Sequence, residues 1–218
     1  MDFPPKVVAS VTSLEEAKEA LALGTDIIEA RVDLASGSPG VFVENVYKLG
    51  LPVIVTIRPV WEGGIFKGSD ANRAGLFKNL IQFADYIDVE LRAKNIDDIV
   101  ALTEGSDTMS IVSYHDFEKT PSEKEMMDII SSCHQKGDIA KLAVLPGSLA
   151  ETLALFEVTL KAKRPVCTIA MGDIGKHSRI MAPVYGSLLT YGYVRKPVAP
   201  GQMRVDEIVK GLHLIGLR

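Results

Sequence analysis

A lysine in the middle of an apolar segment is the first residue in this sequence whose position suggests chemistry. Lys141 lies within Ile139 to Leu145, a run that we interpret as a buried strand because glycine and proline bound it on either side. Burying an ammonium ion is costly unless the charge is paired or the amine is neutral. Lys141 is therefore one half of a core salt bridge, a side chain that extends out of the strand end, or an amine kept partly neutral to attack a carbonyl group.

A histidine at the end of the preceding predicted strand could serve such an amine. An imine formed between Lys141 and a ketone would make the neighbouring C–H acidic, and a base would then have to remove that proton. His115 has an unperturbed pKa near 6.5, which suits a group that accepts and returns a proton at neutral pH. The other histidines lie at a helix end, in a Gly-rich loop and near the C-terminus: His134, His177 and His213.

The elements that would position these groups alternate regularly along the chain. Predicted strands span residues 6–12, 26–34, 53–58, 86–91, 109–114, 139–145, 165–171 and 188–194. Predicted helices follow them at 13–23, 41–49, 72–83, 96–102, 122–136, 149–162, 178–184 and 203–214. Eight βα units with short connections predict an α/β fold, a closed (β/α)8 or TIM barrel, as a single domain over residues 1–218. An open doubly wound sheet is the alternative.

Polar residues share one face of these strands. Alternate residues of a barrel strand point towards the axis, where Val, Ile and Leu normally lie. In this chain that face carries Glu29, Arg31, Asp33, Thr56, Arg58, Asp88, Glu90, Ser113, His115 and Lys141. A buried ion pair would explain any one of them, but perturbed titratable groups cluster at functional sites. We therefore expect a polar ligand site at the strand ends.

Three loops at the same end of the predicted barrel have compositions that suit an anion. They span residues 61–64, 171–179 and 196–202 and contain glycine, and Arg179 in the second could bind a carboxylate through both amino groups. The third has the proline and glycine content of a shaped loop that could close over a ligand. Gly-rich barrel loops also bind phosphate, so this pattern alone leaves the anion open.

Composition excludes several classes of function. The chain has 218 residues, of which 47% are hydrophobic and 24% charged, and its formal charge of −4 provides no basic surface for nucleic acid. Its apolar runs are far shorter than the ~20 residues of a membrane span, and its first ten residues do not resemble a signal peptide. Two cysteines, Cys133 and Cys167, are expected to be reduced in a cytoplasmic protein, and no metal-site motif is present.

The motifs together resemble those of the type I 3-dehydroquinate dehydratases, the 3-dehydroquinases of the shikimate pathway of aromatic amino acid biosynthesis. The resemblance spans the whole chain and rests on Glu-Ala-Arg-Val-Asp (29–33), Thr-Ile-Arg (56–58), Glu-Gly-Gly (62–64), Ser-Tyr-His-Asp-Phe (113–117), Ala-Lys-Leu-Ala (140–143), Met-Gly-x-x-Gly-x-x-Ser-Arg (171–179) and Ala-Pro-Gly-Gln (199–202). It implies a cytoplasmic lyase, usually a homodimer without cofactor, that dehydrates 3-dehydroquinate to 3-dehydroshikimate.

The resemblance also implies roles for individual residues. Lys141 would form the Schiff base, His115 would move the proton and assist loss of water, and Glu62 would orient His115. The residues that match substrate-contacting positions are Ser10, Glu29, Arg31, Arg58, Met171, Arg179 and Gln202, with Arg179 on the carboxylate and Met171 packed beside the lysine. We expect burial and the positive charges of Arg31 or Arg58 to depress the pKa of Lys141.

Two features depart from the family pattern. Val198 stands where related sequences have serine, so the resemblance does not extend to the one hydroxyl contact that this serine would make. Only Met1 to Pro5 precede the first predicted strand, which predicts a short N-terminus without the hairpin that covers the barrel floor in some members.

Two other functions fit parts of the pattern. A Schiff-base aldolase also uses a strand lysine on this type of barrel, but would cleave a C–C bond and commonly bind phosphate. A non-catalytic barrel could hold a polyhydroxy acid, although an arginine fork would serve simple binding better than a buried lysine.

Overall fold

Nine parallel strands form one curled sheet in the computed structural model, which describes residues 4–218. The strands are β1 (Lys6–Val11), β2 (Ile27–Arg31), β3 (Val53–Thr56), β4 (Tyr86–Glu90), β5 (Met109–Asp116), β6 (Ile139–Val144), β7 (Val166–Ala170), β8 (Leu189–Tyr193) and β9 (Met203–Arg204). The α-helices are α1 (Leu14–Ala22), α2 (Pro39–Tyr47), α3 (Asp70–Leu80), α4 (Ile96–Val100), α5 (Glu123–Lys136), α6 (Leu149–Lys161), α7 (Gly172–Gly175), α8 (Ser178–Met181) and α9 (Val205–Leu214).

The strand order closes the sheet into a barrel. Strands β1 to β7 lie side by side in sequence order, and β8 returns to pair with β1. The remaining seam, between β7 and β8, is joined by a bridge from Val166 to Ser187, and the Leu188 N–H donates to the Val166 carbonyl oxygen at 2.8 Å. A doubly wound sheet reverses its strand order at a switch point, and this sheet does not. The predicted barrel is confirmed.

Several predicted boundaries are corrected where the backbone turns. Strand β2 ends at Arg31 instead of residue 34, because the Leu34 and Ala35 N–H groups donate back to the Arg31 carbonyl. Strand β5 extends to Asp116, so His115 lies within the strand, opposite Ala143 of β6.

The last two predicted helices also differ. The segment 178–184 is divided into α8 and a 3₁₀ turn at Ala182–Tyr185, with Pro183 inside the turn. Residues Met203 and Arg204 form the short strand β9 beside β8, so the final helix begins only at Val205.

Serine caps fix where four helices begin. The hydroxyl groups of Ser13, Ser69, Ser122 and Ser148 each accept a hydrogen bond from the backbone N–H three residues further on. At Ser122 the Glu125 carboxylate also accepts from the Ser122 N–H, which completes a capping box.

The barrel interior changes character along each strand. Near the start of the strands it is filled by apolar side chains, which include Val8, Ile54, Ile111 and Ile139. Two residues further on, the same inward positions carry Ser10, Thr56, Ser113 and Lys141, all of them buried. A larger apolar layer packs between the sheet and the helices. The fold therefore places a polar layer above an apolar floor, at the carboxyl ends of the strands.

Other sequence-based expectations concern smaller features. The predicted absence of an N-terminal hairpin concerns Met1–Pro5, of which Met1–Phe3 lie outside the described residues. Both cysteines are buried and form no disulfide. No helix within residues 4–218 is long and apolar enough to cross a membrane.

Candidate active site

One cavity opens at the carboxyl ends of the strands, and the sequence analysis names many of its lining residues. All ten predicted site residues line it: Ser10, Glu29, Arg31, Arg58, Glu62, His115, Lys141, Met171, Arg179 and Gln202. The polar partners that share their strand face, such as Asp88 and Glu90, lie behind the lining and bind it. The other lining residues are Gly63, Phe117, Ala143, Ile169, Tyr191 and residues 198–200.

Lys141 is held as an ion pair. Its Nζ donates to Asp88 Oδ2 at 2.8 Å and lies 4.0 Å from the centre of the Tyr191 ring. The two arginines whose positive charges are expected to act on this amine each have a carboxylate partner of their own. The Asp88 carboxylate lies between Arg58 and Lys141, and Arg31 is paired with Asp33. The bond to Asp88 therefore fixes the position of the amine in the cavity wall.

Arg58 occupies the centre of the buried charge network. It donates to Asp88 Oδ1 at 2.7 Å, to Glu90 Oε1 at 2.7 Å and to Ser113 Oγ at 2.8 Å. Burial alone would lower the pKa of Arg58, but the carboxylates of Asp88 and Glu90 outweigh it and raise that pKa. Burial alone would raise the pKa of Asp88, but Arg58 and Lys141 hold it well below its usual range. Both groups are therefore charged at neutral pH.

A second arginine supports this network from behind. Arg73, from helix α3, is buried and pairs with Glu90 Oε2, the oxygen that Arg58 does not use. Its Nε and Nη2 have no hydrogen-bond partner among the described residues. Arg73 lies within the helix predicted over residues 72–83, and its sequence position alone indicated no role.

His115 and Glu62 form a pair beside the lysine. Glu62 Oε1 accepts a hydrogen bond from the His115 backbone N–H at 2.9 Å and lies 3.2 Å from His115 Nδ1. Glu62 ends a 3₁₀ turn at Val60–Glu62, and Gly63 follows it with a φ of 81°, a backbone conformation that favours glycine. The Phe117 ring stacks on the imidazole with the centroids 6.1 Å apart. The ring of His115 is thus fixed on two sides.

Burial and neighbouring charges keep His115 neutral. Burial and Arg58 lower the pKa of His115 to about 4, although Glu62 opposes them. Burial alone would raise the pKa of Glu62, but the contact with His115 and the charge of Arg58 lower it. The pair at neutral pH is a neutral imidazole beside a carboxylate, so the imidazole is ready to accept a proton.

On the side of β1 to β3, a carboxylate is held by hydroxyl groups. Ser10 Oγ donates to Glu29 Oε2 at 2.5 Å, and Thr56 Oγ1 donates to Glu29 Oε1 at 2.9 Å. Arg31 makes two bonds with Asp33, at 3.0 and 2.9 Å. These contacts fix the orientation of Glu29 and Arg31 in the cavity wall.

Arg179 differs from the other cavity cations because it has no carboxylate partner among the described residues. It is 2% exposed, its Nη1 donates to the Tyr191 carbonyl oxygen at 3.3 Å, and its Nε has no hydrogen-bond partner. Burial lowers the pKa of Arg179 to about 10, so the side chain still carries its charge at neutral pH. A buried guanidinium without a carboxylate partner has the charge and the N–H donors that suit an anion.

The loop of residues 196–202 positions the last predicted site residue. Gln202 Oε1 accepts hydrogen bonds from the backbone N–H groups of Val198, at 2.7 Å, and Ala199, at 3.2 Å. This orientation leaves the amide nitrogen of Gln202 as a donor. Val198 lines the cavity with a side chain that can neither donate nor accept a hydrogen bond.

Other candidates from the sequence lie elsewhere. The His177 ring packs edge-on against Phe156, His134 bonds to the Pro165 carbonyl, and His213 bonds to the Arg218 carbonyl. Within residues 4–218, no group of three or more Asp, Glu, His or Cys residues comes together as a metal site.

The family model for type I 3-dehydroquinase matches residues 7–218 of this chain. The chain belongs to that family. It is therefore a hydro-lyase that acts on a small molecule, and membership sets aside both the aldolase and the non-catalytic barrel.

Named relatives agree with this assignment. The 3-dehydroquinate dehydratase of Methanocella arvoryzae is 60% identical, with 100% of both chains covered, and that of Methanothrix thermoacetophila is 41% identical over 98% of this chain and 93% of its own. The crystal structure of 3-dehydroquinate dehydratase from Geobacillus kaustophilus superposes with a TM-score of 0.91 at 26% identity, covering 97% of this chain and 91% of the other. The type I enzyme of Clostridium difficile, solved with covalent modified comenic acid, gives a TM-score of 0.86 at 30% identity, covering 97% and 92%.

Proposed function

We propose that this enzyme dehydrates 3-dehydroquinate to 3-dehydroshikimate through a Schiff base on Lys141. One observation carries the proposal: a buried lysine, a neutral histidine fixed by a glutamate, and an arginine without a carboxylate partner line the same cavity. An amine supplies the nucleophile, an imidazole moves protons, and a guanidinium holds a carboxylate.

The first half of the reaction forms the imine. Lys141 gives up a proton, its Nζ attacks the ketone carbon, and that proton then leaves with the carbinolamine hydroxyl as one water when the protonated imine forms. This cation withdraws electrons from the adjacent C–H bond. Because Asp88 holds the amine at 2.8 Å, the nucleophile starts in a fixed position, and the carboxylate then lies beside the positive charge of the imine.

The second half removes the substrate hydroxyl. The neutral imidazole of His115 takes the proton next to the imine carbon, which gives an enamine. The enamine expels the β-hydroxyl, which leaves as water after His115 returns the proton to it. Hydrolysis of the imine consumes the water released earlier, so the balance is one water per turnover and a free Lys141.

The remaining cavity residues bind substrate in this scheme. Arg179 takes the carboxylate, and Ser10, Glu29, Arg31 and Gln202 bind the ring oxygens, while Met171 packs beside Lys141. Both amino groups of Arg58 are already bonded to Asp88, Glu90 and Ser113, so its main contribution is its charge.

Borohydride reduction tests the imine. Incubation of the enzyme with 3-dehydroquinate and borohydride should attach one substrate-derived group to the peptide that contains Lys141, as read by mass spectrometry. Lys141→Ala should give no adduct and no turnover, whereas Lys136→Ala, on the exposed face of α5, should react normally. An absent adduct, or one on a different lysine, would refute the imine.

The proton-transfer role of His115 has a separate test. His115→Ala should lose turnover, followed by the ultraviolet absorbance of the conjugated enone, while retaining part of the borohydride adduct. Near-normal turnover in this variant would contradict the role.

The wider setting follows from the same proposal. The enzyme would act in the shikimate pathway of aromatic amino acid biosynthesis, in the cytoplasm, without a cofactor and without nucleic acid as a partner. We expect a homodimer, and the exposed leucines Leu149, Leu153 and Leu160 of α6 offer an apolar surface that a second subunit could cover. Light scattering of the purified protein tests the dimer, and a monomer mass would contradict it.

A further inference from the structure

An arginine that lines no part of the cavity contacts the His115–Glu62 pair from outside. Arg92 is two residues beyond the end of β4, and its side chain is 46% exposed. Its Nε and Nη2 both donate to Glu62 Oε2, at 3.0 and 2.7 Å. The same Nη2 donates to the His115 carbonyl oxygen at 3.1 Å, and the guanidinium lies 4.6 Å from the centre of the Tyr114 ring.

Through these contacts Arg92, which follows β4, binds both the 3₁₀ turn that contains Glu62 and strand β5. Glu62 uses one carboxylate oxygen for His115 and the other for Arg92, so both oxygens are occupied and the carboxylate cannot rotate without breaking bonds on one side. The Arg92 bond to the His115 carbonyl adds a second link to β5. A planar guanidinium suits this role because it presents several N–H donors in a rigid arrangement.

We propose that Arg92 is a positioning residue for proton transfer, which holds the Glu62 carboxylate and the His115 backbone in the arrangement that the imidazole needs. This inference rests on the proposed role of His115. Arg92 itself is outside the cavity and does not touch the reacting atoms.

The positive charge of Arg92 also affects the pKa of His115, because it partly compensates the negative charge of Glu62. The groups that face the imidazole are Glu62, Arg58, Lys141 and, through the network, Asp88. Glu62 raises the pKa of His115, whereas Arg58 and Lys141 lower it. Without Arg92 the Glu62 charge is less compensated, so the pKa of His115 should rise and the imidazole should become protonated at a higher pH.

Three variants test the inference. In Arg92→Ala, water can replace the half-exposed guanidinium, so the protein should fold. We expect kcat to fall by about 10-fold, KM to stay within about 2-fold, and the acid limb of kcat/KM to move up by about 0.5 to 1 pH unit. Arg92→Lys restores the positive charge but not the planar guanidinium with its several N–H donors. The acid limb of kcat/KM should therefore return to the parent value, whereas kcat should recover only in part.

The matched control is Arg164→Ala. Arg164 is an exposed arginine at the opposite end of the barrel, bonded to the carbonyl oxygens of His134 and Gly137. Its loss changes net charge by the same amount and should leave kcat and the pH profile unchanged. If Arg92→Ala lowers only the melting temperature, or behaves as Arg164→Ala does, the inference is wrong.

The borohydride assay separates this inference from the function on which it rests. Arg92→Ala should still form at least as much adduct on Lys141 as His115→Ala does, because Arg92 does not line the cavity and its loss leaves both Lys141 and His115 in place. A parent enzyme without an adduct, or with normal turnover after His115→Ala, would refute the proposed mechanism. An intact mechanism with an unchanged pH profile in Arg92→Ala would refute the positioning role alone.

Discussion

Lys141 and Arg179 are buried cations of the same cavity, but only Lys141 has a carboxylate within bonding distance. Around β3 to β6, the basic lining residues have carboxylate partners inside the protein: Lys141 has Asp88, Arg58 has Asp88 and Glu90, and the neutral imidazole of His115 has Glu62. On the side of β7 and β8, the Arg179 guanidinium has one hydrogen-bond partner among the described residues, the Tyr191 carbonyl oxygen.

The difference separates positioning from binding. Groups with internal partners keep their arrangement without a ligand, which suits chemistry that depends on distance. A buried guanidinium without a carboxylate partner has lost the free energy of hydration and gained no ion pair in return. An anion that binds in the cavity offsets that loss. Under the proposed function, the paired side carries out the reaction and the unpaired side holds the substrate carboxylate.

Neutralising the central carboxylate should break the paired side. In Asp88→Asn, Arg58 and Lys141 would be two buried cations with no charge between them, and breaking a buried ion pair costs about 3 to 5 kcal/mol. We expect that loss in the free energy of unfolding, measured with urea, and a fall in kcat of at least about 100-fold. Asp85→Asn is the control, since Asp85 accepts a hydrogen bond from the Val53 N–H at the other end of β4. Equal effects of the two variants would contradict the special place of Asp88.

Removing the unpaired arginine should give the opposite pattern. Arg179→Met takes away a desolvated charge without leaving a carboxylate unpaired, so the free energy of unfolding should stay level or rise. Under the proposed function, KM should rise by about 30- to 100-fold, because a charge-assisted bond to the substrate carboxylate is lost.

A second buried arginine provides the contrast for Arg179. Arg73→Met deprives Glu90 of a partner, so it should lower the free energy of unfolding. If Arg179→Met destabilised the protein as much as Arg73→Met, the distinction between the two sides of the cavity would fail.

Acid should destabilise the paired side through His115. The pKa of His115 is about 4 in the fold and near 6.5 in an unfolded chain, so below pH 6.5 the unfolded state binds the proton more readily. The stability that the neutral imidazole contributes is complete above pH 6.5 and is lost as the pH falls towards 4, by about 3 kcal/mol. Asp88 has a lowered pKa, so its contribution is lost only at still lower pH.

Urea unfolding at pH 7, 5.5 and 4 checks this dependence. Between pH 7 and pH 4, the free energy of unfolding should decline less in His115→Asn than in the parent. The difference between the two declines should be about 3 kcal/mol. His213→Asn, a substitution at an exposed histidine near the C-terminus, should follow the parent. Parallel curves for the parent and His115→Asn would show that the imidazole is not held neutral by the fold.

The residues that line the cavity could be predicted from the sequence, but the ion pairs that these residues form could not. Apolar runs of strand length fix the βα alternation, and the two-residue period of a strand decides which side chains point inward, so Glu29, Arg58 and Lys141 could be assigned to one face. Pairing depends on which long side chains meet in space. The position of Asp88 between Arg58 and Lys141 was not predictable from this alternation.

Arg73 and Arg92 show the same limit. Each arginine is an ordinary polar residue in its local pattern, one in α3 and one after β4, and each reaches its carboxylate only because the barrel brings that element next to a different strand or loop. A search for arginines directly after the inward-facing carboxylates of a strand would have found Arg92, which follows Glu90 by two residues.

The smallest expected effect lies on the binding side, at Val198. This valine lines the cavity and holds Gln202 through its backbone, and its side chain provides no hydroxyl group. In Val198→Ser the backbone bond to Gln202 remains and a donor is added beside the substrate, so KM should fall by about 2- to 5-fold, the equivalent of one net hydrogen bond. Val198→Ala creates similar space without the hydroxyl and should leave KM unchanged or higher. Because Val198 belongs to the side of the cavity that binds substrate, kcat should stay within about 2-fold of the parent value in both variants. A change in kcat without a change in KM would show that this loop acts on the chemical step. The distinction between a reacting side and a binding side of the cavity would then be wrong.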